Sequence, residues 1–293
     1  MNSKKDFSTQ NQQDCWTILY ENLADTMLKR RGKDGEVVVR NANRLCGFMA
    51  GNTLREQMAY GSQPTNLRTL FHLLCSAQMD PRFRIQWQLL NEEEAVFDVV
   101  TCPFCDFLTE RKKESLLLPF CEEFHNGYLS GFTRGIGQCC LSEHISYTGE
   151  NSCRFGCYFR AANTDKETLS YCFTDTRQEK AEFPSSRHDI KAPGLFFSFL
   201  AGTLVNSYIS EGKKRYGEDS LCLIADGLRH AAAETSDFLR ERSHAAGKKP
   251  DAAFLFDNSF WYTEEQLAEC QEISKKLVSL NYCRILKKEF HMI

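Results

Sequence analysis

The sequence has no apolar run approaching the length needed to span a bilayer, and its first residues, Met-Asn-Ser-Lys-Lys-Asp, lack the apolar core of a secretory signal. The expectation is a cytoplasmic chain with no membrane association. An excess of either charge is also missing: 36 basic and 39 acidic residues, interspersed, leave a net charge of -3. No basic stripe marks a nucleic-acid footprint, so no nucleic-acid partner is expected. The one locally basic run, Leu-Lys-Arg-Arg-Gly-Lys at 28–33, falls at an expected helix C-terminus, where cations offset the helix dipole. Nor does a second C-x-x-C accompany Cys102-Pro-Phe-Cys105, which excludes a zinc ribbon.

What the chain does have is cysteine, 14 in 293 residues. In a reducing compartment these read as free thiols or ligands rather than as a disulfide framework. Their chemistry concentrates in residues 102–155, where Cys102, Cys105, Cys121, Cys139, Cys140 and Cys153 are joined by Asp106, His125 and Glu143. Thiols, an imidazole and carboxylates at that density suit a metal site or a nucleophilic centre. A single free cysteine packs like a small hydrophobe, so the cluster carries the argument and no one thiol does.

Taken in order, residues 14–31 place Trp16, Ile18, Leu19, Leu23, Met27 and Leu28 at helical spacing. A turn is expected at Lys33-Asp-Gly35, then a helix over 36–60 and a shorter one over 67–78, stopped by Asp80-Pro81. The period then changes to two: Phe83, Ile85 and Trp87 alternate with polar residues, predicting a half-buried strand. A polar turn at 91–94 returns the chain as a strand over 95–102, which delivers the Cys-Pro-Phe-Cys segment directly rather than opening a helix with it. A helix follows over 116–132, then strands over 139–147 and 152–160, with 159–163 and 169–173 as sheet extensions. The polar stretch after 174 reads as a linker, dividing the chain into 1–175, a linker at 176–193, and a helical half at 194–293. In that half, helices are expected over 195–214, 219–245 and 263–280, and a terminal strand over 279–285.

Residues 44–56 can be laid on 229–241, and the breakers Gly61-Ser-Gln-Pro64 and Gly247-Lys-Lys-Pro250 follow both. Matching breaks after matching helices suggest a truncated internal repeat.

Cys-Pro-Phe-Cys-Asp-Phe after a strand, Cys121 early in a helix, and Gly149 with Cys153-Arg-Phe155 in the last hairpin together resemble the L-2-amino-thiazoline-4-carboxylic acid hydrolase family. The segment 124–155, with Gly127-Tyr-Leu-Ser-Gly-Phe132 and Glu143, is similar to the vinyl-reductase ligand-binding domain of heme- and phenol-sensor type. The resemblance spans roughly residues 12–160. It implies an α+β fold also seen in subunits of a vesicle-tethering complex: a small antiparallel sheet packed by helices, with a ligand pocket between them. A helix-rich C-terminal half follows here.

The phenol-sensor likeness implies zinc, or another divalent metal, on Cys121, Glu143 and Cys153. Ser146 stands where a further cysteine is expected, and His125, one turn from Cys121, is the replacement ligand. No other cofactor is implied. For catalysis, Cys121 and His125 at i, i+4 form a thiol–imidazole pair, with Asp106 or Glu143 to orient the ring. Cys102, Cys105 and Tyr128 would line the substrate pocket, and Arg134 and Arg154 would hold a substrate carboxylate. The aromatic stretch 254–262 could cover that pocket or pack a second copy of the chain as a homodimer; a buried connection between helices is the preferred reading.

These residues favour a small-molecule hydrolase opening a nitrogen- or sulfur-containing ring or cutting a related C–N bond. The alternative is a non-catalytic module binding an aromatic or tetrapyrrole molecule. A purely structural role in assembly is the third reading.

Overall fold

One helix of 57 residues, α1 (Lys4–Tyr60), is the axis on which the other elements are hung. The computed structural model describes residues 4–60, 64–77, 80–144, 152–173, 193–261, 266–267 and 270–292. Where the sequence predicted two helices parted by a turn at 33–35, α1 is continuous except at Gly32, whose φ of 55° and ψ of -131° kink it. Only a residue without Cβ takes that left-handed φ cheaply, so the break falls on Gly32 while Lys33, Asp34 and Gly35 stay helical. The basic residues end the first segment as expected, and the Arg31 guanidinium lies 4.7 Å over the Tyr216 ring.

After α2 (Leu67–Ala77) the chain forms the predicted hairpin, β1 (Arg84–Leu90) and β2 (Glu94–Thr101). The Asn91 side chain accepts from the backbone N–H of Glu93 and Glu94 at 2.8 and 2.7 Å, which fixes the turn. Ahead of β1, Arg82 bridges Asp80 and Asp14 of α1, both nearly fully buried, and so ties the sheet to the long helix.

The segment after β2 corrects an expectation. Cys102-Pro-Phe-Cys105 does open a helix, α3 (Pro103–Glu110), with Cys102 as its N-cap. Proline at the first helical position loses no bond there, which is why the turn starts at once. Helix α4 (Leu117–Phe132) and strands β3 (Gln138–Glu143) and β4 (Cys153–Tyr158) follow. Some of the predicted loop and strand extension, at 145–151, lies outside the described residues.

The four strands are antiparallel in the order β1-β2-β4-β3. Alternation places Ala95, Phe97, Cys153, Phe155 and Cys157 on the face covered by helices. The opposite face carries the Asp98–Arg154–Glu143 ion pairs, at 2.8 and 3.0 Å. Strand β1 is more exposed than predicted because it forms an edge; Trp87 keeps 36 % of its surface. The sheet extensions predicted at 159–163 and 169–173 are instead a 3-10 turn (Ala161–Asn163) and α5 (Lys166–Cys172), capped by Asp165 on the Thr168 N–H at 2.8 Å.

The predicted linker at 176–193 lies outside the described residues except for Pro193. From there α6 (Pro193–Tyr216) and α7 (Asp219–Ala245) pack on α1 within one shared apolar core. A short α8 (Ala252–Asn258) leads to Phe260 and Trp261, both fully buried, so the connection that the sequence favoured is buried except at Phe256, which faces outward. The terminal strand is overturned: α9 (Glu272–Val278) runs through a π turn (Ser279–Cys283) into α10 (Arg284–Glu289). The apolar residues there pack as one helical face, and a short apolar run does not by itself separate strand from helix. The two stretches read as a half-repeat, 44–56 and 229–241, are both helical, in α1 and α7, which end at Tyr60 and Ala245 and are followed by helices starting at Leu67 and Ala252.

The closest packing joins the C-terminal end of α1 to α4, side by side and parallel. A Cβ on Gly47 would enter the Phe124 carbonyl oxygen, one on Gly51 that of Tyr128, one on Gly127 that of Arg44 and one on Gly131 that of Phe48. Each pair is spaced i, i+4 and so shares one helix face. At the rim, Arg40 meets Glu122 at 2.8 Å and Arg44 meets Glu123 at 2.5 Å. In an unconstrained helix, glycine to alanine gains about 1 kcal/mol. Here Gly47→Ala or Gly127→Ala must push the helix backbones away from each other, and each is expected to lose about 3 kcal/mol, read from the urea unfolding midpoint. A neutral or stabilising result would show that the two helices are not in backbone contact.

Candidate active site

Two apolar clusters meet between the helices and the inner face of the sheet. One gathers α1, α3, α4 and the C-terminal helices; the other gathers α2, the sheet face and the far end of α4. They do not close completely, and a cavity of about 250 Å³ lies at their junction. It is reached by Cys102 and Cys105 from the start of α3, Cys121, His125 and Tyr128 from α4, and Cys153 from β4.

The local structure explains each position. Cys102 caps α3, and Cys105, three residues on, faces the same side one turn later. Cys121, His125 and Tyr128 stand at i, i+4 and i+7 on α4, roughly a quarter turn round the helix from Gly127 and Gly131, which touch α1. Cys153 and Phe155 alternate inward from β4.

The thiols meet one another. Cys105 is within hydrogen-bond reach of Cys102, Cys121 and Cys153; those contacts, in that order, and then burial push its pKa up. At Cys121 the contact with Cys105 pulls the pKa down, but burial and the neighbouring thiols of Cys102 and Cys153 leave it raised. Cys102 is the only one of the four that is not buried. The His125 ring does not take the Cys121 thiol as its partner. Its Nδ1 lies 2.7 Å from the Cys121 carbonyl oxygen, so Nδ1–H donates there and Nε2 is left as the acceptor. Enclosure lowers the His125 pKa against the pull of that bond, and His144 lowers it further. Burial likewise raises the Tyr128 phenol.

Several residues singled out in the sequence lie elsewhere. Arg154 points to the outer face of the sheet, held by Asp98 and Glu143. Glu143 joins it there because a bulge between Leu141 and Glu143 shifts the register of β3 against β4. Arg134 is exposed beyond the end of α4, with a φ of 56°. Asp106 is exposed in the first turn of α3, too far round the helix to orient His125. Cys139 pairs across the strands with Cys157, sulfur to sulfur 3.4 Å, and Cys140 faces outward. The ligand set inferred for zinc, Cys121, Glu143 and Cys153, is therefore split between two faces of the sheet and does not fit one ion. Among the described residues no other group of three or more such side chains is arranged to hold a metal.

Sequence reasoning missed the apolar wall. Trp16 comes from α1, Phe71 and Leu74 from α2, and Phe196, Phe197 and Leu200 from α6. The run Phe196-Phe-Ser-Phe199 at a helix start was the available signal, but nothing local says which cavity it closes. His144, fully buried beside Glu143, was also missed.

Residues 11–155 match the family described as L-2-amino-thiazoline-4-carboxylic acid hydrolase. No curated protein and no solved structure matches the chain. The matched span runs from α1 to Phe155 and contains Cys102, Cys105, Cys121, His125 and Cys153, whereas α6 lies outside it. Over residues 11–155, just under half of its length, the chain is thus similar to the L-2-amino-thiazoline-4-carboxylic acid hydrolase family.

Proposed function

We propose that this chain is a small-molecule hydrolase that opens a nitrogen- or sulfur-containing ring, or cuts a related C–N bond, inside the thiol-lined cavity. The observation that supports it is the convergence of Cys102, Cys105, Cys121, Cys153 and His125 on one hollow from three separate regions of the fold. Packing alone gives no reason for four thiols and an imidazole to share a void.

Cys102 takes the nucleophile's role. It is the least buried of the four thiols, and it stands at the N-terminus of α3. Cys121, the nucleophile suggested by its spacing to His125, is buried and engaged with Cys105. His125 is the base through Nε2. The Cys102 thiol gives its proton to Nε2 while sulfur adds to the electrophilic ring carbon. The ring C–S or C–N bond then breaks, and the departing heteroatom takes that proton. Water attacks the carbon bound to Cys102, Nε2 receives its proton, and the proton returns to the thiol as the C–S bond to the enzyme breaks. One water is consumed, and the enzyme is regenerated.

A second reading, binding without turnover, is favoured by the largely aromatic wall. Turnover separates the two. With 2-amino-thiazoline compounds as substrates, Cys102→Ser and His125→Asn are each expected to lower kcat/KM by about 10²- to 10⁴-fold. Asp106→Asn, on the exposed side of α3, should leave it unchanged. Full activity in Cys102→Ser would remove the nucleophile assignment, and no turnover by the unaltered chain would leave the binding reading.

The His125 shift sets a pH dependence. Its pKa in the folded chain lies below the ordinary value of about 6.5, so the base stays neutral further into acid and kcat/KM falls only below that pH. Stability follows the same window. Below about pH 6.5 the unfolded chain binds a proton that folded His125 refuses, so stability declines as pH falls toward the folded value. His144, also lowered by burial, adds to the slope. Thermal unfolding of His125→Asn between about pH 7 and 5 should show a shallower decline than the unaltered chain.

A further inference from the structure

The cavity wall contains no lysine, arginine, aspartate or glutamate among the described residues. Its polar groups are Gln13, the indole N–H of Trp16, Tyr128, His125 and the thiols. With His125 lowered and Cys105 and Cys121 raised, these three add no charge at neutral pH. Of the cations next to wall residues in sequence, Arg82 binds Asp14 and Asp80, Arg154 binds Asp98 and Glu143, and Arg84, between Phe83 and Ile85, is exposed and does not line the cavity. A carboxylate entering this space would shed its water and meet neither a cation nor an array of N–H donors, which is strongly unfavourable.

The remaining walls are flat and apolar. Phe97 and Phe155 stack with centroids 5.5 Å apart on the sheet side, while Phe120 and Phe124 stack at 4.8 Å on the helix side. Phe196 and Phe197 of α6 close the space from outside the span that matches the family. A volume of about 250 Å³ exceeds the roughly 150 Å³ in which an apolar cavity accepts benzene.

We propose that the cavity takes an uncharged, planar compound of one or two fused rings and rejects its carboxylated counterpart, although the family is described by a carboxylic acid. The proposal rests on the cavity being the substrate site and names the substrate class. The chain's reaction would then run on neutral heterocycles, with the ring held between the phenylalanine faces and its electrophilic carbon near the thiols.

Binding to the full chain tests this without relying on turnover. Two matched pairs serve as probes: indole against indole-2-carboxylate, and benzothiazole against benzothiazole-2-carboxylate. Titration calorimetry, with quenching of Trp16 fluorescence as a second readout, is expected to give the neutral member of each pair at least about tenfold tighter binding, 1.4 kcal/mol. To locate the site, Phe196→Lys or Ile85→Lys places a cation at a half-exposed wall position and should narrow or reverse the preference. Two substitutions at separate places guard against one failing to fold. Equal or tighter binding of the acids, no saturable binding of the neutral rings, or an unaltered preference in folded lysine variants would overturn the proposal. Neutral preference without turnover would count against hydrolysis alone, and turnover with a preference for the acids against this inference alone.

Discussion

The backbone contact between α1 and α4 is the constraint on which the site depends. Four glycines, Gly47 and Gly51 on one helix and Gly127 and Gly131 on the other, remove the side chains that would hold the helices apart. Because each pair is spaced by four residues, the contact consumes one face of α4 along its length. Cys121, His125 and Tyr128 are left on the adjoining side of the helix, where they reach the cavity. The Gly-Tyr-x-x-Gly pattern, which in the sequence looked like a piece of a ligand motif, owes its glycines to this packing.

The sheet supplies the second half of the device. A period of two sorts β4 into an inner row, Cys153, Phe155 and Cys157, and an outer row that includes Arg154. One bulge in β3 then carries Glu143 to the outer side, where Arg154 neutralises it. Adjacent residues, Cys153 and Arg154, therefore serve different ends: one faces the cavity, and the other ties strands together in a polar surface ladder. Arg82 with Asp14 and Asp80 anchors the hairpin to α1 in the same way. The charges are used in assembly, and the hollow they surround is left neutral.

That neutrality shapes the chemistry available. Neighbouring thiols and burial raise Cys105 and Cys121, whereas Cys102, the least buried of the four, stands at the N-terminus of α3. His125, with Nδ1 committed to a backbone carbonyl, offers Nε2 as a base without becoming a charge in the resting site. Closure by α6 adds aromatic surface to the cavity from outside the family span.

Elements whose apolar pattern is long and regular were legible in the sequence: α7 at 219–245, α4 ending at Phe132, and the hairpin around Asn91. Short elements set by a cap, α3 behind Pro103 and α5 behind Asp165, were not, because one residue at the helix start outweighs a weak periodicity there. The presence of thiols and an imidazole, and their place in an α+β chain similar to this family, were likewise readable as local facts. Which of them share a space was not. Strand register, one bulge and the glycine contact decide that Cys102, Cys105, Cys121 and Cys153 meet while Glu143, Arg154, Arg134 and Asp106 turn away. Periodicity states that a residue is buried on some face, but only the packing of that face against distant segments determines what it is buried with.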